Sequence, residues 1–253
     1  MRTSIPGLFG LAVLLSTAAP AMAQDTAPPK AFTISGNAQL TSDYRFRGLT
    51  QSDEDPALQG SLTVTHESGF YVGTFASTID DKVSLPGYGG AEVDLYAGYG
   101  KSFANGLGVD AGLLYYYYPD GASGAKTDFF EPYAALTYTI GPVSAKLGAA
   151  YAWSGQKGLI GKKDNIYGYL DLSAAIPSTP LTVKGHVGYS DGSLGFANLD
   201  PLDDSYIDWS IGVEGNGGPF RVGVSYVDTD VNKAFANTRG SDATVLGYIA
   251  FAF

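Results

Sequence analysis

Residues Phe32 to Gly48 read FTISGNAQLTSDYRFRG. Even positions carry Phe32, Ile34, Gly36, Ala38, Leu40, Ser42, Tyr44 and Phe46, while odd positions carry Thr33, Ser35, Asn37, Gln39, Thr41, Asp43, Arg45 and Arg47. Successive side chains of an extended chain point to opposite faces. A period of two therefore predicts a β-strand with one apolar and one polar face, here running through to Gly48.

The alternation recurs down the chain. Val93, Leu95, Ala97 and Tyr99 alternate with Glu92, Asp94, Tyr96 and Gly98; Val143, Ala145, Leu147, Ala149, Tyr151 and Trp153 alternate with Ser144, Lys146, Gly148, Ala150 and Ala152. Ile166 to Ser173, Leu181 to Gly188 and Ile207 to Glu214 repeat the pattern, for twelve segments in all. Only Phe70 to Ile79 leaves its outward face undecided.

Two classes of connection alternate between these segments. Short ones carry turn residues, as at Glu67, Asn105, Gly141, Ser178 and Asn216. Long ones lie near residues 49–56, 79–90, 119–128, 154–164, 191–205 and 228–242. Strands that follow the start or a tight turn begin near residues 32, 70, 107, 143, 181 and 219, so the repeat is 36 to 38 residues and holds one hairpin. A six-bladed propeller would repeat near this length but needs four short strands per blade. A secreted β-sandwich also alternates, yet does not require long repeated hairpins.

Composition points the same way. Of 253 residues, 34 are Gly and 18 are Tyr, and only 16% are charged. The mean hydropathy is +0.01. That is too polar for a helical membrane protein, yet poorer in charge than a soluble surface. Strict alternation of apolar and polar residues reconciles the two in an all-β, transmembrane, antiparallel up-and-down barrel of about 12 strands, with short periplasmic turns and long extracellular loops. About 10 residues at roughly 3.3 Å each, tilted about 45°, rise close to the apolar band of such barrels. Tyr44, Phe46, Tyr99, Tyr117, Trp153, Tyr189, Trp209 and Tyr226 fall near strand ends, as an interfacial girdle requires.

The first 23 residues read as a secretory signal. Arg2 is a single n-region charge, Ile5 to Ala18 are largely apolar, and Ala21 to Ala23 form a small-residue site, with cleavage expected after Ala23. Residues 24–31 then form a short periplasmic segment and residues 32–253 the barrel. Loss of Arg2 leaves fourteen basic against twenty-five acidic residues, a formal charge of −11. Such acidity disfavours a nucleic-acid partner. With no cysteine, disulfides, cysteine-metal sites and a lipidated N-terminal cysteine are excluded.

The segment Ser42 to Ser77 resembles the start of the TorF family of porin candidates. The matching residues are Ser42, Tyr44, Arg45, Arg47, Gly48, Gln51, Ser52, Pro56 and Gly60, then GFYVG from Gly69 to Gly73 with Ser77. The resemblance implies an outer-membrane barrel enclosing a pore, with no known solute.

The polar faces supply the candidate lumen. Asp43, Arg45, Arg47, Glu92, Asp94, Glu131 and Asp208 belong near the outer mouth, and Asp110, Lys146, Asp171, Lys184, Glu214 and Arg221 nearer the periplasm. Opposite charges facing one another across a narrow bore would orient and select small polar or charged solutes, without a cofactor. The alternative is a lumen closed by its own ion pairs, serving a structural or surface-interaction role. A lipid hydrolase would need a nucleophile, base and orienter; His186, expected toward the periplasm, and His66, in a tight turn, are poorly placed for the outer leaflet.

Acidic loops at residues 52–56 and 200–204 read as solvated surface; the alternative is a divalent ion shared with lipopolysaccharide, although no regular ligand spacing occurs. The basic loop at 155–164 would meet lipid phosphates. GYIAFAF, at Gly247 to Phe253, reads as a closing strand that pairs with the first near Phe32. Its outward Ile249, Phe251 and Phe253 resemble the signal read by the barrel-insertion machinery.

Overall fold

The computed structural model describes residues 31–253 apart from 125, 160–161, 195–203 and 233–239. The expected signal and residues 24–30 lie outside the described residues. Twelve strands close into one antiparallel barrel: β1 (Phe32–Thr41), β4 (Ala57–His66), β5 (Phe70–Thr78), β6 (Ala91–Ser102), β7 (Leu107–Tyr117), β8 (Phe129–Ile140), β9 (Val143–Ala152), β10 (Asn165–Ala175), β11 (Leu181–Gly192), β12 (Ser205–Gly217), β13 (Phe220–Thr229) and β14 (Thr244–Ala252). Two short strands, β2 (Arg45–Phe46) and β3 (Leu49–Thr50), pair only with each other.

Register explains why each face has its character. Leu136, Leu147, Leu170, Val187 and Trp209 are successive cross-strand partners from β8 to β12 and form one outward apolar row. Shifting each strand by one residue gives Lys146, Asp171, His186 and Ser210, an inward polar row. A slip of one residue would exchange these rows, so the apolar exterior fixes the pairing. Leu147 and Val72 are 61% and 58% exposed. β5 now has a definite polarity: Phe70 and Val72 face out, while Tyr71 and Ser77 are buried.

The inner wall also accounts for the abundance of glycine and tyrosine. Gly73, Gly98, Gly112, Gly148 and Gly223 stand directly opposite Tyr96, Tyr71, Tyr133, Tyr169 and Tyr248 on adjacent strands. In each pair the ring lies over the glycine; a Cβ at Gly148 would sit 2.3 Å from the Tyr169 ring. Large residues thus fill a narrow interior only where their neighbour has no side chain.

Three expectations change. The first strand ends at Thr41, not Gly48, and residues 43–52 fold into the barrel as the β2–β3 hairpin. Arg47 and Gly48 turn it with φ of 52° and 80°, the two successive positive values of a type I′ turn. Tyr44 is consequently buried inside, Phe46 packs on the same interior cluster against Tyr116, and neither joins the outer girdle. Tyr117, Trp153, Tyr189, Trp209 and Tyr226 do face outward. Finally, β14 pairs with Asn37–Thr41, and Phe253 exchanges backbone hydrogen bonds with Gly36, so closure begins above Phe32. The Phe253 ring covers Gly36, with Ile249, Phe251 and Phe253 all outward.

Candidate functional site

The lumen has two unlike walls. Strands β6 to β8 contribute Glu92, Asp94, Asp110 and Glu131 and, among these inward charges, no cation. Strands β9 to β13 contribute Lys146, Lys184, His186 and Arg221 together with Asp171, Asp208 and Glu214. The inserted hairpin bridges them. Arg47 reaches from its tip to both carboxylate oxygens of Glu131, at 2.7 Å each, and its guanidinium lies over the rings of Phe46 at 4.6 Å and Tyr167 at 4.3 Å. The Tyr206 hydroxyl donates to the Arg47 carbonyl at 2.9 Å, so the tip is held from the opposite wall.

The expectation that Arg45 and Arg47 share one strand face is corrected. Both are buried, but the turn between β2 and β3 sends them apart. Arg45 donates to Asp43 at 2.6 Å, to Glu54 at 3.1 Å, and to the carbonyls of Gly48, Gly240 and Asp242. Asp43 in turn accepts from Thr50 at 2.5 Å and Ser52 at 3.1 Å. Asp43 and Arg45 therefore hold the hairpin together, and Arg47 is the residue presented to the acidic wall.

Tyrosine hydroxyls satisfy most of the carboxylates. Glu92 accepts from Tyr44 at 2.7 Å and Tyr118 at 3.0 Å, and Glu131 from Tyr116 at 3.0 Å. Asp110 accepts from Tyr71 at 2.6 Å. Glu214 accepts from Lys184 at 2.6 Å and also from Tyr248. These tyrosines were legible in the sequence as members of the polar face, but their donor role depends on long side chains meeting across strands. Lys146 lies 5.6 Å from the Tyr169 ring and stands opposite Asp171 in register. Arg221 donates to Asn37 at 2.9 Å.

His186 is central. Its Nδ1 lies 2.5 Å from Asp171 and its Nε2 lies 3.0 Å from Asp208 and 2.9 Å from the Tyr167 hydroxyl. It thus joins residues expected at opposite ends of the bore, at mid-height. Both ring nitrogens are engaged by carboxylates, an arrangement that fixes the ring instead of freeing a nitrogen to deprotonate a nucleophile. His66 ends β4 and opens the tight turn, its carbonyl accepting from Gly69 at 2.9 Å, with its ring against Phe32 and its Nδ1 2.7 Å from Ser68.

A cavity of about 170 Å³ remains beside the hairpin. It extends from Arg47, Asp94 and Tyr96 to Lys184, Glu214 and Arg221, so it touches both walls. Elsewhere in the interior, Tyr71, Tyr116, Phe129 and neighbouring rings pack into one cluster, joined by Leu85, Leu159 and Leu194 from the long connections. Toward the mouth, burial pushes the Asp80 carboxyl up, but the backbone amides of Val83, Ser84 and Lys82 outweigh it and hold it below the usual range. Among the described residues, the loop at 155–164 makes one exposed ion pair, Lys163 with Asp204 at 3.5 Å. Such a pair contributes little. Among the described residues, no three His, Asp or Glu side chains form a group that could hold a metal ion.

A family model described as "Bacterial protein of unknown function (Gcw_chp)" matches residues 24–252. No curated protein matches the sequence. Among solved structures, the chain is similar to the KdgM porin, with a TM-score of 0.55 and 8% identity over 87% of this chain and 98% of that one. It is similar also to the NanC porin, with a TM-score of 0.57 and 11% identity over 87% of this chain and 99% of that one. At such identity the likeness extends to the closed barrel alone.

Proposed function

We propose, for a chain that belongs to the Gcw_chp family of bacterial proteins of unknown function, that it is an outer-membrane porin of the TorF kind, passing small polar or charged solutes through a narrow, charged lumen. The observation that carries this reading is the cavity between an acidic and a mixed-charge wall, inside a closed barrel whose outer surface is apolar. Opposed charges within a constriction turn a polar solute and sort it by sign. In this orientation the tight turns are periplasmic and the long connections extracellular. A signal cleaved after Ala23 would deliver the chain, and Ile249, Phe251 and Phe253 would present it to the insertion machinery. Its surface would meet lipopolysaccharide.

Purified, folded protein in a planar bilayer is expected to give discrete conductance steps, and a salt gradient a measurable cation to anion permeability ratio. Silent bilayers with correctly folded protein would refute the reading. A second reading, a barrel that closes its own lumen for a structural or surface role, draws on the Arg47 to Glu131 bridge across the interior, and predicts that silence. No step of the channel reading uses a catalytic residue or cofactor.

A further inference from the structure

Asp94 is fully buried, lines the cavity, and has no hydrogen-bond partner on either carboxylate oxygen. Leaving a buried charged group unpaired is costly. The surroundings make the omission specific. Across β5 and β7 its register partners are Phe75 and Tyr116, and along β6 its same-face neighbours are Glu92 and Tyr96. Among the described residues, the tyrosine hydroxyls around it are committed elsewhere: Tyr116 to Glu131, Tyr44 and Tyr118 to Glu92, and Tyr96 to Thr63 at 2.7 Å. Arg47 spends one nitrogen on Glu131 and leaves its Nη1 without a partner, so it does not hydrogen-bond Asp94 either. The cavity as a whole is lined by Asp43, Asp94, Asp208 and Glu214 and by Arg45, Arg47, Lys184 and Arg221, but at Asp94 it is walled by Tyr44, Phe75 and Tyr96.

We propose that Asp94 and the rings around it form a binding site for the protonated amine of a small organic solute. An ammonium brings the donors that Asp94 lacks and a charge that aromatic faces attract. A bare metal ion fits less well, because among the described residues no group of three His, Asp or Glu side chains is set to hold one. The inference deepens the channel reading, on which only its consequence for transport rests: amines would enter in preference to neutral molecules of the same size.

Binding is measured by titration calorimetry of the detergent-solubilised, folded barrel with n-butylammonium, alongside n-butanol. The expected result is saturable binding of butylammonium and none of butanol. Asp94→Asn, which keeps the shape, is expected to weaken that binding at least about tenfold, the weight of a charge-assisted hydrogen bond. Should that variant not fold, Phe75→Leu removes a ring while keeping an apolar side chain and is expected to weaken binding about threefold, as loss of one cation–π contact does. Absent butylammonium binding to the wild type, equal binding of butanol, or undiminished binding by the folded variants would overturn the proposal. Conductance recorded on the same preparation separates the two readings. Binding with silent bilayers refutes the channel and keeps the site; conductance without binding refutes the site and keeps the channel.

Discussion

Replacing Arg47 with methionine tests how the hairpin is docked. The Arg47 and Glu131 side chains are 4% and 2% exposed and share two contacts of 2.7 Å. Removing one partner of a buried ion pair typically costs about 3–5 kcal/mol, because the other charge is left behind. Among the described residues, Glu131 would retain only the Tyr116 hydroxyl at 3.0 Å. Loss of the stacking over Phe46 and Tyr167 acts in the same direction. Arg47→Met is therefore expected to destabilise by about 3–5 kcal/mol. Glu131→Gln keeps an amide oxygen for Arg47 and is expected to cost less, about 1.5–3 kcal/mol. The double variant leaves neither charge of this pair behind, so it should lose less than the sum of the two by at least about 1.5 kcal/mol. Urea unfolding in lipid vesicles, followed by fluorescence of Trp153 and Trp209, gives all three values. In bilayers, Arg47→Met leaves the acidic wall uncompensated, and the permeability ratio should shift toward cations. A single variant within about 1 kcal/mol of wild type, with additive effects in the double, would refute the docking.

Leu147→Arg places a charge in the middle of the outward apolar row and is expected to cost about 2–4 kcal/mol in vesicles; an unchanged urea midpoint would argue that this face does not meet lipid. Gly148→Leu drives a side chain into the Tyr169 ring, and its expected cost of about 1–3 kcal/mol is read by the same unfolding assay. The Asp80 carboxyl is held below its ordinary value, so the stability it lends its loop is complete above about pH 3.9 and is lost as pH falls through the lowered value. The amide resonances of Val83 and Ser84 should titrate with a midpoint under that value; a midpoint at or above it would contradict the geometry.

The faces of the barrel were legible because period two is a local property. Each of the segments from Val93 to Val213 declared its outward side, and the tight turns and long connections gave strand number and hairpin repeat. Candidate lumen residues on the strands, from Glu92 to Arg221, could be placed for the same reason. The segment that misled is the one richest in signal. A type I′ turn at Arg47 and Gly48 occupies two residues and leaves the alternation unbroken, so FTISGNAQLTSDYRFRG reads as one strand although it contains a strand and half a hairpin. Gly48 was the available clue.

Sequence alone determined an all-β chain of alternating hairpins with an apolar outside and a charged inside, since both properties follow from neighbours two residues apart. Tertiary structure decided that residues 43–52 enter the barrel, that Arg47 meets Glu131 across 84 positions, that His186 joins Asp171 to Asp208, and that Asp94 is left without a partner. Those pairings depend on which strands adjoin and how deeply a loop inserts. Barrel closure settles both by bringing distant residues into one narrow interior, where each tyrosine hydroxyl can donate to only one carboxylate at a time.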